Sequence, residues 1–353
     1  MAYSRNNSPE KIKVLVVDDS LFMRQVISDL LNSDSGIEVV AKAANGLEAL
    51  ENISIFSPDV VTLDYEMPKM NGLETLEKIK RLEHAPSVVM VSGYTQKDAD
   101  ITLKCLSAGA VDFVTKPSGS LSMEMLKVKE ELVSKVKIAA KVNPKLTLSY
   151  QEKTKKISGH EFKIDRNAGA VVIGSSTGGP AALEALLPQI PQTFPYPVFV
   201  NQHLPKSFTT SFSQRLDKEC QLNVEEGEDG VLVEAGKIYL APGGKDMEVV
   251  NNDGVRIRVI EPHVGHETPC IDVLMTSVAK MYGKNTIGII LTGMGSDGVL
   301  GMEAIKNAGG KTLVQDEGTS VIFGMGKEVV EKGFADDIVP LDAIIDKLIE
   351  LID

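Results

Sequence analysis

Cysteine is nearly absent: Cys105, Cys220 and Cys270 are the only three in 353 residues. An odd number at wide spacing, with no C-x-x-C pair, fits neither a disulfide framework nor a zinc site. A reducing, cytoplasmic compartment is therefore expected. Long apolar runs are missing too. No stretch approaches the ~18 consecutive apolar residues of a membrane-spanning helix, and residues 1–11 hold no apolar leader core. Neither secretion nor membrane insertion is expected. Basic charge is in deficit, with 37 Lys and Arg against 49 Asp and Glu and a net charge of −12. Nucleic acid and anionic membrane surfaces are thus poor general partners.

What is present is ordinary globular composition, 43% hydrophobic and 24% charged, at a length that suggests about two domains at ~150 residues each. Short β-branched runs over 12–17, 37–41, 60–63, 87–91 and 111–115 alternate with stretches of helical spacing, the last over 121–140. Five strands alternating with five helices predict an open parallel sheet. Residues 142–166 break the rhythm with Pro144, Lys153, Lys155, Lys156 and Ser158-Gly159, and read as a linker. The rhythm restarts over 170–173, continues over 197–201 and returns over 286–291. The expected organisation is two doubly wound α/β domains, 1–141 and 167–353, joined by 142–166. Their net charges are −3, −12 and +3 respectively, so the acidity belongs to the second domain. That charge, and the lack of a helix-turn-helix pattern, argue against a DNA-binding output.

Ligands gather at the carboxyl ends of strands in open parallel sheets. In the first domain those ends carry Asp18-Asp19-Ser20, Asp64 followed by Met67-Pro68 and Asn71-Gly72, Ser92-Gly93, and Lys116-Pro117. Carboxylate oxygens suit Mg²⁺, and a carboxylate can itself accept a phosphoryl group. A lysine would neutralise that group and a hydroxyl would hydrogen-bond to it. The plainer reading of the Asp pair alone is a helix cap; four strand ends in order weigh against it.

In the second domain the strand over 170–173 runs into Gly174-Ser175-Ser176-Thr177-Gly178-Gly179, then Pro180 opens a helix. Strand, glycine-flanked turn and helix N-terminus make the setting of a nucleophile elbow with Ser176 at its centre. A phosphate-binding glycine loop uses the same physics and stays open as the alternative. A serine nucleophile needs a base, and only five histidines exist: His84, His160, His203, His263 and His266. His84 and His160 fall in a connection and in the linker, where solvent exposure is expected. His263 and His266 form H-x-x-H on a Gly/Pro-rich loop without a helical face to fix them, a weak metal pattern. His203 follows a buried strand, where a site belongs. The third member, an orienting carboxylate, is Asp297 in Thr292-Gly293-Met294-Gly295-Ser296-Asp297-Gly298, beyond the strand over 286–291. A turn aspartate is the plainer reading.

The first set of motifs resembles the receiver domain of bacterial response regulators, over roughly residues 11 to 135. The resemblance implies that Asp64 is the phosphoacceptor, that Asp18 and Asp19 hold Mg²⁺ with it, that Ser92 is the switch hydroxyl, and that Lys116 contacts the phosphoryl group. The second set, together with Gln202-His203-Leu204-Pro205, Pro242-Gly243 and Pro269-Cys270-Ile271-Asp272-Val273-Leu274, resembles the chemotaxis protein-glutamate methylesterase family. It implies Ser176 as nucleophile, His203 as general base and Asp297 as acid, with Thr177 and Met294 nearby. Ser175, Cys270 and Ser296 depart from the alanine, serine and asparagine common at those places.

The implied activity is hydrolysis of glutamate γ-methyl esters on methyl-accepting chemoreceptors with release of methanol, together with deamidation of receptor glutamines. A chemotaxis histidine kinase is the implied phosphodonor, and the receiver is expected to occlude the catalytic mouth until Asp64 is phosphorylated. The competing class is a response regulator with a non-catalytic, receptor-binding output domain.

Overall fold

The computed structural model describes residues 11–93, 95–116, 123–142, 162, 169–262 and 267–353. The chain divides into two compact units, each built on a parallel sheet.

In the first unit the order is β1 (Ile12–Val17), α1 (Leu21–Asn32), β2 (Ile37–Ala43), α2 (Gly46–Phe56), β3 (Val60–Asp64), α3 (Gly72–Lys80), β4 (Ser87–Ser92), α4 (Gln96–Ser107), β5 (Asp112–Thr115) and α5 (Met123–Ala139). The sheet order β2-β1-β3-β4-β5 is parallel throughout. Strands β3 and β4 are buried along their whole length, as an apolar run covered on both faces should be. Local caps set the helix starts. The Asn45 side-chain carbonyl accepts from Leu47 and Glu48 N–H, and Asn71 and Glu74 form a reciprocal capping box.

The expected strands recur with small shifts. Asp64 and Ser92 are the last residues of β3 and β4 rather than the first beyond them, and β5 starts at Asp112 rather than 111. Residues 121–122 of the expected fifth helix, and the expected linker apart from 142 and 162, lie outside the described residues.

The second unit runs β6 (Ala170–Ser175), α6 (Gly179–Leu186), β7 (Val198–Gln202), α7 (Lys206–Glu219), β8 (Asn223–Glu226), β9 (Lys237–Leu240), β10 (Asp246–Asn251), β11 (Val255–Ile260), α8 (Ile271–Tyr282), β12 (Thr286–Ile290), α9 (Val299–Asn307), β13 (Lys311–Gln315), α10 (Gly324–Glu331), β14 (Asp337–Val339) and α11 (Ile344–Ile352). Seven strands form one sheet in the order β14-β13-β12-β6-β7-β9-β8, all pairs parallel. The chain enters at β6, leaves to one side through β7 and returns on the other through β12. That reversal opens a crevice at the carboxyl ends of three adjacent strands.

Strands β10 and β11 form a separate antiparallel hairpin that turns through Asp253 and Gly254, both with positive φ. Met247, Val249 and Ile257 of the hairpin share one core with Phe199, Tyr239, Ile271 and Leu274, so α8 is held between hairpin and sheet. Among the described residues no helix is long and apolar enough to cross a membrane.

Candidate functional site

In the first unit Asp18 follows β1 and Asp64 ends the neighbouring β3; both are almost fully buried, while Asp19 is exposed. Lys116, just past β5, places its Nζ 2.9 Å from Asp18 Oδ2 and 2.9 Å from Asp64 Oδ2. Arg24 on α1 donates to the carbonyls of Asp18 and Asp19 at 2.6 and 3.0 Å, which fixes the loop that carries them. Burial pushes Asp64 up to about 6, with Asp18 adding to the rise and Lys116 opposing it. Burial disfavours the Lys116 charge, yet Asp64 and Asp18 outweigh it and raise its pKa. The lysine is thus held charged beside the carboxylate.

Asp18, Asp19 and Asp64 each offer an oxygen within 4.8 Å of the others. An all-carboxylate set suits a hard divalent cation such as Mg²⁺. Ser92 is buried at the end of β4, and its carbonyl accepts from Lys116 N–H at 2.7 Å. Gly72 explains Asn71-Gly72 after Asp64: a Cβ there would lie 2.3 Å from the Asp64 carbonyl oxygen and 2.7 Å from Tyr65 Cα, so only glycine lets α3 start against the strand end.

In the second unit Ser176, His203 and Asp297 follow β6, β7 and β12, the three strands at the crevice. His203 Nδ1 lies 3.1 Å from Ser176 Oγ and His203 Nε2 lies 2.8 Å from Asp297 Oδ2. These distances join hydroxyl, imidazole and carboxylate in one hydrogen-bonded chain. The ring is turned relative to the familiar serine-protease arrangement, with Nε2 toward the acid and Nδ1 toward the serine.

Asp297 is held by the N-terminus of α8. Ile271 N–H donates to Oδ2 at 2.8 Å and Asp272 N–H to Oδ1 at 2.9 Å, and the Cys270 thiol, 3.5 Å from Oδ1, donates a fourth contact. Burial alone would raise the Asp297 pKa, but His203 and the two backbone donors outweigh it and hold it below the ordinary carboxylate value. The helix dipole favours the same anion. Burial pushes the Cys270 thiol up to about 12, with Asp297 adding to the rise, so it acts there as a neutral donor.

Close backbone approach builds the rest. Ser176 N–H donates to the Thr292 carbonyl at 3.1 Å, the Thr292 hydroxyl donates to the Thr177 carbonyl at 3.0 Å, and a Cβ on Gly293 would lie 2.9 Å from Ser176 Cβ. Thr177 is buried beside Ser176, and Met294 follows Gly293 with a half-exposed side chain. Gln202 is a further site residue that pattern reading missed. Its Nε2 donates to the Ser176 carbonyl at 3.0 Å and the His203 carbonyl at 3.1 Å, while its Oε1 accepts from Ser175 Oγ at 2.7 Å. Two signals pointed to it: its place as the last residue of a buried strand, directly before His203, and its membership of the Gln202-His203-Leu204-Pro205 motif.

Glu267 was missed as well: its Oε2 lies 2.7 Å from His203 Nδ1, on a largely exposed side chain. Burial opposes charge on His203, yet Asp297 and Glu267 together carry its pKa up to about 9. His84 is exposed after α3, as expected; His160, His263 and His266 lie outside the described residues.

Comparison with known proteins agrees with both halves. Residues 14–126 match the response regulator receiver domain family and residues 171–348 the CheB methylesterase family. The protein-glutamate methylesterase/protein-glutamine glutaminase of Pyrococcus horikoshii is 42% identical over 352 residues, covering 97% of this chain and 94% of that protein. The Geobacillus kaustophilus protein of the same name is 44% identical over 346 residues, covering 97% and 99%. The crystal structure of the Thermotoga maritima CheB methylesterase catalytic domain covers 52% of this chain and 98% of its own, at 42% identity and a TM-score of 0.51. With a matched receiver, a matched catalytic domain and relatives aligned end to end, the chain belongs to the CheB family of chemotaxis protein-glutamate methylesterases.

Proposed function

We propose that this member hydrolyses the γ-methyl esters of glutamates on methyl-accepting chemoreceptors, releasing methanol, by an acyl-enzyme route on Ser176, and that phosphorylation of Asp64 raises its rate. The observation that carries the reading is the continuous relay from Ser176 Oγ through His203 to Asp297.

Ser176 Oγ attacks the ester carbonyl carbon while its proton passes to His203 Nδ1. Asp297, an anion throughout, accepts from Nε2–H and stabilises the imidazolium as it forms. Backbone N–H groups at the start of α6 and around Met294 are the candidates to hold the oxyanion, with Thr177, next after the nucleophile, the first of them. Collapse of the tetrahedral intermediate breaks the C–O bond, and methanol leaves with the Nδ1 proton. Water then repeats the sequence on the acyl-serine, giving glutamate and free Ser176. A receptor glutamine passes through the same intermediate with ammonia as leaving group, which supports deamidation as a companion activity.

In the receiver, Asp64 is the carboxylate that takes the phosphoryl group from a chemotaxis histidine kinase. Asp18, Asp19 and Asp64 would hold Mg²⁺, which supplies charge neutralisation at the incoming phosphoryl oxygens when bound. Lys116 brings its own positive charge to the same place and Ser92 offers a hydroxyl at the neighbouring strand end. Phosphorylation can favour an active state only by the free-energy difference it makes between states. Receptors, kinase and esterase chemistry together point to work in the cytoplasm.

The test is methanol release from methylated receptor membranes by the wild type and Asp64→Ala, with and without a phosphodonor. The wild type should accelerate on phosphorylation and Asp64→Ala should not respond. Equal acceleration of both would show that control does not run through Asp64.

A further inference from the structure

The imidazole of His203 faces more partners than the relay can use. Nε2 is taken by Asp297, while Nδ1 faces Ser176 Oγ at 3.1 Å and Glu267 Oε2 at 2.7 Å. The two Nδ1 contacts call for opposite protonation states. A neutral ring that donates Nε2–H to Asp297 shows a lone pair at Nδ1, which accepts the serine proton but repels a carboxylate. An imidazolium keeps a proton at Nδ1, donates it in a hydrogen bond to the nearer carboxylate, and has no site left for the serine proton. Among the described residues, the charged groups that act most on the ring are Asp297, from the turn between β12 and α9, and Glu267, from the segment before α8.

We propose that Glu267 is a positioning residue of the esterase reaction: its carboxylate holds His203 in the proton-loaded form that cannot act as a base, and it must leave Nδ1 before Ser176 is activated. This rests on reading Ser176 and His203 as nucleophile and base. On leaving, the Nδ1 proton passes to solvent and the lone pair returns to face Ser176 Oγ.

Chemistry supports such an exchange. The oxygen 2.7 Å from Nδ1 stands where the leaving methanol, and later the attacking water, must stand to share a proton with His203. Glu267 fills that place with a γ-carboxylate, the same group the reaction produces. A neutral glutamyl ester entering the crevice displaces it, and the largely exposed side chain has solvent to move into. The desolvated, two-carboxylate setting that carries His203 to about 9 is the electrostatic counterpart of this contact.

The experiment uses the full chain with a small-molecule phosphodonor and compares wild type with Glu267→Gln. The His203 imidazole is titrated by NMR, assigned against a His203→Gln spectrum, and the pH dependence of kcat/KM for methanol release is measured alongside. Removing one carboxylate lowers the imidazole pKa, so the rising limb moves to lower pH. At pH 7 the first tenfold fall in the ring's proton affinity raises the proton-free fraction about tenfold, with KM reduced because no side chain must be displaced. An unmoved imidazole titration overturns the proposal, and so does a moved titration with an unmoved kinetic limb or a loss of kcat/KM at pH 7. Ser176→Ala separates the two readings: if it released methanol at the wild-type rate, the serine mechanism would be wrong, while the NMR titration would still report on the Glu267 contact.

Discussion

Both units work at the carboxyl edge of a parallel sheet, yet they assemble their sites in different ways. In the receiver every candidate side chain sits on, or within two residues of, a strand of the same sheet, and the balance of charge is local: Lys116 bridges Asp18 and Asp64. In the esterase unit three strands deliver Ser176, His203 and Asp297, but the acid is held by backbone donors from α8, an element that follows the β10–β11 hairpin rather than the strand rhythm. On the proposed function, the first site takes a ligand that brings formal charge. The second creates charge briefly and needs fixed dipoles at the place where it appears.

That contrast can be attacked from either side. Asp297→Asn keeps the shape of the relay but exchanges an anion for an amide, and a loss of about 10⁴ in kcat is expected by analogy with other triads. Phosphoryl uptake by Asp64 should be untouched, as followed with labelled phosphodonor. Gln202→Leu removes the braces on the Ser176 and His203 carbonyls and strands the Ser175 hydroxyl, and misplacement of the pair should cost up to about 10² in kcat with KM nearly unchanged. Gly72→Ala acts on the other unit. The added Cβ meets the Asp64 carbonyl oxygen, and overpacking of about 1–3 kcal/mol is expected. Thermal unfolding should show the receiver transition falling while the esterase transition stays.

The sequence was most readable where strands were buried and apolar. Val60 to Leu63 and Thr286 to Leu291 announce their strands, and what lies past them is then a handful of polar residues. Asp64, Ser92, Lys116, Ser176, His203 and Asp297 could each be singled out for that reason. Much of the second unit was not readable: the interior strands β9 and β13 and the β10–β11 hairpin were not singled out, the edge strand β8 (Asn-Val-Glu-Glu) alternates with polar residues, and β14 has only three residues.

Gln202 escaped because a buried amide at a strand end resembles any other satisfied polar residue until its partners are known. Glu267 escaped because the segment ahead of α8 has no periodicity, and a glutamate beside Thr268-Pro269 shows no chemistry of its own. Its importance comes from sharing Nδ1 of His203 with Ser176, a relation between residues 64 positions apart in one case and 27 in the other. Spacing along the chain carries no trace of it.

The decisive measurement is methanol release from methylated receptor membranes by Ser176→Ala, with phosphorylation of Asp64 followed in the same preparation. Release is expected to fall by about 10⁶ in kcat, leaving only the residual rate that binding and oxyanion donors supply without the serine, while Asp64 takes up phosphate as in the wild type. Methanol release at the wild-type rate from a phosphorylated Ser176→Ala protein would contradict the serine mechanism.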